Sequence, residues 1–270
     1  MNIKQKSKII YNNCKDLESF YKDDDIIIKD EAEAYVIQDE FIRLKGIEGY
    51  GSIGGWKVAL TNPEMQKLVG VNRPVEGAIL KPLIFQNNIT LNINDYCHLG
   101  AEAEIALKIY RNIPIKKEGY TNKEELIPYL KEAMVALEIV DDRNYGANIT
   151  FKKLVAQNSM NYGCVIGEPL EIDLMSLDSL KGSLIVSGKN FGKGIGKNVL
   201  QHPLNSVLYL VNNLIKRGRS LYAGDIVLTG SISTTCWPIV GDKVEANIDM
   251  LNSVSFNTDS MWVKYIENKK

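Results

Sequence analysis

The sequence predicts an α+β fold built on a mixed or antiparallel sheet, with a small helical part ahead of it. Three observations carry that prediction. From Trp56 onward, nine short apolar and β-branched runs are separated by Gly, Asn, Asp and Pro. A single strong helical period interrupts them. The first 55 residues carry helical spacing instead of alternation.

Taken in order, Ile9, Ile10, Leu17, Phe20 and Tyr21 fall on one helical face. Asp30 to Gly46 reads as a second helix, with the glycine as its stop. The run GYGSIGG, Gly49 to Gly55, is a flexible connector and divides a helical region, 1–55, from the main body, 56–270. WKVAL, EGAILKPLIF, NITLNI, AEIALKIY, MVALEIV, YGCVIG, GSLIVSG, DIVLTGSI and KVEANI are the strands. Thr121 and Glu124 have capping-box spacing, but Pro128 keeps the helix they would start short or kinked. The strong helix is HPLNSVLYLVNNLIKRG. Pro203 suits its first turn, and Leu204, Val207, Leu208, Val211, Leu214 and Ile215 form its apolar stripe. Lys216 and Arg217 suit its last turn, and Gly218 its stop.

Composition excludes several functional classes. The 32 basic and 33 acidic residues leave a net charge of −1, and no basic block marks a nucleic-acid or membrane partner. Neither a signal-peptide core nor a membrane-spanning apolar run is present, so a cytoplasmic protein is expected. Cys14, Cys97, Cys164 and Cys236 fit no zinc spacing and read as reduced packing thiols. The glycine-rich SGKNFGKGIGKN matches neither a Walker loop nor a dinucleotide fingerprint, and reads as a loop leading into the Pro203 helix. His98 and His202 read as capping or packing residues, so neither a histidine-activated water nor a covalent nucleophile is expected. A sheet of this kind hides its edges readily in an oligomer.

The unusual stretch is GAEAEIAL, Gly100 to Leu107. Alternate side chains of a strand share a face, so Glu102 and Glu104 project together, away from Ala101, Ala103 and Ile105. Glu138 interrupts a second apolar run, MVALEIV. Unpaired buried carboxylates cost several kcal/mol each, and adjacent ones repel. A hard divalent cation, Mg²⁺ or Mn²⁺, compensates such a set directly. A solvated face for the pair, and an ion pair between Glu138 and the nearby Arg143, explain the same residues without a metal. Asp141 and Asp142 read equally as supporting groups or as strand-end turn acids.

The ordered set GWKVALTNPEMQKLVGV, GAEAEIAL, ALEIVDDRNY, NSMNYGCVIG, HPLNSVLYLVNNL and AGDIVLTGS resembles the 2-keto-4-pentenoate hydratase family of the fumarylacetoacetate-hydrolase-like superfamily, from Ala32 nearly to the C-terminus. That family includes hydratases and 4-oxalocrotonate decarboxylases of aromatic meta-cleavage catabolism. The resemblance implies a mixed β-roll, a homo-oligomer, and a metal held by Glu102, Glu104 and Glu138. It also implies a catalytic or substrate-binding lysine at Lys57, with Thr229, Gly230 and Ser231 beside the substrate carboxylate. The D-N-A-S segment of many members is Gln157, Asn158, Ser159 and Met160 here, so Asn158 and Ser159 are the matching substrate-binding candidates. The acid that comes after the G-V-x-x-P proline in many hydratases is replaced by Val75, with the nearest carboxylate at Glu76. Glu76 is the second catalytic candidate, although alternation sends it to the opposite face.

The implied reaction is hydration of a 2-hydroxy-2,4-dienoate to a 4-hydroxy-2-oxo acid. The same residues serve decarboxylation of a 4-oxalocrotonate-type 2-oxo-enedioate equally well. The replacements at Gln157, Met160 and Val75 are also compatible with a relative that binds metal and metabolite without turnover.

Overall fold

The computed structural model describes residues 1–145 and 149–260; the last ten residues of the expected main body lie outside them. Helix α1 (Ile3–Lys15) starts in a capping box between Asn2 and Gln5, and α2 (Glu31–Lys45) is capped by Asp30. After them come β1 (Ile53–Ala59), the short α3 (Pro63–Leu68), β2 (Val75–Leu80), β3 (Ile84–Gln86), β4 (Ile89–Asn92), β5 (Leu99–Ile109) and β6 (Leu130–Asp141). The chain continues through α4 (Phe151–Ala156), β7 (Asn161–Ile166), β8 (Leu170–Glu171), β9 (Lys181–Val186), β10 (Lys189–Ile195), α5 (Pro203–Lys216), β11 (Ile226–Ser231), β12 (Lys243–Ile248) and β13 (Leu251–Asp259).

Two mixed sheets result. The larger runs β2-β1-β11-β5-β6-β7-β3, with β8 also on β6; the smaller runs β10-β9-β12-β13-β4. The β1–β11, β3–β7 and β4–β13 pairs are parallel and the rest antiparallel. Strands β2 and β3 stand at opposite ends of the larger sheet, yet only the turn Lys81–Leu83 joins them. So short a link forces the sheet to roll until its ends meet, and β2 lies against β7.

The roll has a packed interior and an outer face. Ile79, Ala106, Met134, Ala136, Cys164, Ile166, Ile226 and Leu228 form one inner cluster. The outer face, including Ile105, Leu107, Leu137 and Val227, joins the core shared with the smaller sheet and α5. Residues of α1 and α2 belong to that same core. The N-terminal helices therefore pack onto the roll, and the anticipated boundary at residue 55 falls inside β1.

Several local expectations are corrected. Leu17, Phe20 and Tyr21 do not continue the first helix, because Leu17 takes a left-handed φ of 55° and the chain turns back over Arg143. Residues Phe20–Asp23 make a 3₁₀ turn instead. Around Pro128, a 3₁₀ helix (Lys123–Tyr129) is capped by Asn122, and Glu125 rather than Glu124 reaches back to Thr121. In α5, Leu210 takes the buried place assigned to Leu208. The glycine-rich segment forms the β9–β10 hairpin rather than a loop. Its glycines serve close approach, since a Cβ on Gly194 or Gly196 would strike the Ile232 or Leu177 carbonyl.

Candidate metal centre

On β5 the inner face carries Glu102, Glu104 and Ala106; on β6 it carries Glu138, Ala136 and Met134. One end of the roll interior is therefore apolar and the other acidic. The antiparallel register sets Glu102 directly opposite Glu138, and Glu104 opposite Ala136. Each glutamate offers an oxygen within 4.8 Å of the others'. Glu104 and Glu138 are fully buried, while Glu102 reaches the edge of a cavity of about 660 Å³. The strand period had indicated the first pair, and β5–β6 pairing adds the third member.

Lys57 enters from β1, whose register places it level with Leu228 of the inner cluster. Its Nζ lies 3.0 Å from Glu138 Oε1, with both side chains almost wholly buried. Asn161 Nδ2 donates to the same oxygen at 2.9 Å. Arg143, the expected partner of Glu138, instead pairs with Asp23 at 2.8 Å and donates to Gln157. A chain reversal after β6 carries it to the N-terminal helices.

Glu104 Oε2 accepts from the Gly230 backbone N–H at 2.7 Å, but Glu104 Oε1 has no partner among the described residues. Glu102 accepts from the Thr235 hydroxyl. Burial, then the charge of Glu138, raises the Glu102 carboxyl above its ordinary value; Lys57 pulls it back. Glu104 is pushed well above that value by burial, then by Glu138 and Glu102.

The donor set fits a divalent cation. Three carboxylates against one ammonium leave a formal charge of −2 when all are ionised, with one oxygen held in place and unpaired. A buried glutamate oxygen with no donor is costly in a purely structural role.

The remaining sequence candidates divide. Ser231 and Ser159 line the cavity beside Lys57. Ser159 sits at a φ of 52° and donates to the Glu76 carbonyl, which fixes this turn against β2. Asn158 clamps the Ala78 backbone through both amide atoms, and Thr229 donates to the Ile105 carbonyl; neither lines the cavity. Gly230 acts through its N–H. Its φ of 122° and the closeness of Thr61 exclude a side chain.

Glu76 is corrected as a catalytic candidate. Alternation along β2 turns it away from the cavity, toward α2 and α5. There it meets Tyr35 at 3.0 Å, Asn213 at 2.7 Å and Arg217 at 2.5 Å. Burial pushes its carboxyl up, and Arg217 opposes that shift. Val75 is buried in the core. Gln157 lines a smaller second cavity of about 250 Å³, and Met160 lines both cavities.

Sequence reasoning missed Asn161, Thr235 and Trp237; Asp142, one of the two acids read either as a supporting group or as a turn acid, lines the cavity with Trp237. A polar residue at the head of the apolar β7 was the available signal for Asn161. Thr235 lies in a strand-free segment and gave none. His98 stacks on Trp237 at 4.2 Å and 5° and meets Asp142 at 2.7 Å, while His202 caps α5. Both histidines thus pack or cap.

Among known proteins, a 2-keto-4-pentenoate hydratase from Burkholderia vietnamiensis is 30% identical over 226 residues, covering 83% of this chain and 85% of the relative. A 2-keto-4-pentenoate hydratase from Dechloromonas aromatica is 29% identical over 238 residues, covering 86% and 87%. The solved 4-oxalocrotonate decarboxylase from Pseudomonas putida G7, complexed with magnesium and adipate, superposes with a TM-score of 0.86 at 23% identity, covering 95% and 97%. Residues 86–257 match the fumarylacetoacetate (FAA) hydrolase C-terminal family model. The chain belongs to the fumarylacetoacetate hydrolase family, within its group of meta-cleavage hydratases and decarboxylases.

Proposed function

We propose that this protein is a metal-dependent hydratase that adds water to a 2-hydroxy-2,4-dienoate and releases a 4-hydroxy-2-oxo acid. The observation that carries the proposal is the unpaired Glu104 oxygen among three inward carboxylates, with Lys57 beside them at the cavity edge. Kinship with hydratases at 29–30% identity supports the same reaction.

Glu102, Glu104 and Glu138 would hold Mg²⁺ or Mn²⁺, which supplies Lewis acidity at the oxygens of a 2-oxo acid. Lys57 carries a proton to or from the chain end of the dienol, and its charge draws the substrate carboxylate inward. Protonation at C5 with loss of the C2 hydroxyl proton gives the conjugated enone, and a water oxygen then bonds C4 while one water proton ends on C3. Ser159 and Ser231 would orient the substrate by turning their hydroxyls from the Glu76 and Ser233 carbonyls, while the Gly230 N–H fixes the Glu104 carboxylate and Thr229 ties β11 to Ile105 of β5. Asn161 keeps Glu138 aimed at the centre. We propose further that the protein works as a cytoplasmic homo-oligomer. The exposed Trp237, Ile239 and Val240 support self-association, and sedimentation of the purified protein tests it.

The direct test mixes protein, Mg²⁺ or Mn²⁺ and fresh 2-hydroxypenta-2,4-dienoate and follows loss of the dienol absorbance. Loss that stops on adding chelator is expected. Loss at the spontaneous rate, from protein that demonstrably binds metal, would mark a non-catalytic binder. Carbon dioxide release from a 2-oxo-enedioate, without hydration of the dienoate, would mark a decarboxylase, the reading favoured by a 28% identical relative from Pseudomonas putida.

A further inference from the structure

We infer that the cavity is built for a 2-oxo or 2-hydroxydienoic acid whose far end is an uncharged alkyl group, longer than a five-carbon substrate provides. The inference rests on the proposed reading of the acidic site and names its substrate class. The cavity, at about 660 Å³, lies within the roughly 300–1,000 Å³ that encloses drug-sized ligands, far more than a five-carbon acid fills.

Its walls are of two kinds. Polar groups, including Lys57, Glu102, Ser231 and Thr235, gather at the acidic end. Leu60, Met65, Leu68, Val69, Ile149 and Leu154 make an apolar wall. Helix α3 buries no residue, and Met65 and Leu68 are 42% and 57% exposed. Isolated exposed apolar side chains need no explanation. These two border a cavity continuous with the acidic site, together with four apolar neighbours, and an apolar ligand tail would cover them.

Charge argues the same way. Among the described residues lining the cavity, the cations are Lys57 and Lys193. Lys57 is engaged by Glu138. Lys193 stands exposed on β10, between glycines that face Ile232, Ser233 and Thr234, on the polar side of the cavity. A second carboxylate directed at the apolar wall would lose its water without gaining a cation there.

Calorimetric titration of the full-length protein with Mg²⁺ tests this, using 2-oxobutanoate, 2-oxohexanoate, 2-oxooctanoate and 2-oxoadipate. The expected result is affinity rising about fourfold per added methylene, with 2-oxoadipate at least tenfold weaker than 2-oxohexanoate. In Leu68→Lys the last preference should reverse. Equal affinity along the alkyl series, or tighter binding of 2-oxoadipate that Lys193→Ala abolishes, overturns the inference and leaves the metal-site reading standing. Failure to bind any of the four acids by protein that binds Mg²⁺ overturns both. A Leu68→Lys protein with unchanged preference but a smaller sedimenting mass would assign α3 to contacts between copies, and the inference would fail.

Discussion

Lys57 and Glu138 form a buried ion pair, 3.0 Å apart, that joins β1 to β6 across the mouth of the rolled sheet. No other cation meets the three inner glutamates among the described residues. The remaining negative charge makes the centre's stability depend on pH and on metal, and its partners make it fragile to substitution.

The first prediction concerns pH. Glu102 and Glu104 hold protons in the folded protein above the ordinary carboxylate value of 4.5. The unfolded chain has released those protons at the same pH. Their contribution to stability is therefore greatest below about pH 4.5 and falls as pH rises through the raised folded values. In chelator-treated protein, thermal melting should show this loss as pH rises above about 4.5. Added Mg²⁺ should raise the melting temperature more at pH 8 than at pH 5. An equal gain at both values would remove these carboxyls from the ion's binding site.

Glu138→Gln should weaken Mn²⁺ binding by more than the roughly 10–100-fold that loss of a supporting partner costs, and should abolish hydration. Unchanged metal affinity together with an unchanged rate would exclude Glu138 from the centre.

Asn161→Ala leaves Glu138 with Lys57 alone and frees it to swing. Metal affinity should drop about 10-fold or more, while far-ultraviolet circular dichroism stays native. Paramagnetic Mn²⁺ titration measures the loss directly.

Glu76→Ala separates structure from chemistry. It removes the closer and more buried of Arg217's two acidic partners, leaving Asp39 at 3.8 Å, and should cost roughly 3 kcal/mol in urea unfolding, the low end for a broken buried pair. Activity per folded molecule should stay within about twofold, because its side chain faces α2 and α5 rather than the cavity. A collapse of kcat in the more conservative Glu76→Gln would return the residue to the catalytic set.

Gly194→Ala would press a methyl group into the Ile232 carbonyl. A stability loss of about 1–3 kcal/mol is expected, with weaker metal binding through the displaced Ser231–Thr235 segment that holds Glu102.

The sequence exposed the parts of this architecture that rest on local period. Glu102 and Glu104 were readable as a pair because a strand has a period of two, and α5 because its apolar stripe has a helical one. Glu138 stood out as a lone charge in an apolar run. What it meets was not readable, because Lys57 is eighty-one positions away and comes near only through β1–β11–β5–β6 packing. Proximity along the chain favoured Arg143, and the left-handed turn at Arg143 and Asn144 defeated that expectation. The hairpin strand β10 was hidden by its glycines. Strand β13 was hidden by the exposed Asn252, Ser253 and Asn257 and by the buried Ser255, which interrupt the apolar Val254 and Phe256 of its core face.

The apolar cluster of Ala106, Met134, Ala136, Cys164, Ile166 and Leu228 stoppers the rolled sheet beneath the glutamates. Under the proposed reading, ion and organic acid would share the cavity that Lys57 and Glu102 line, so that the dication would load first and an acid seated above it would hinder its exit. Chelators should strip the resting protein quickly and the acid-saturated protein slowly, at a pace set by how often the acid leaves.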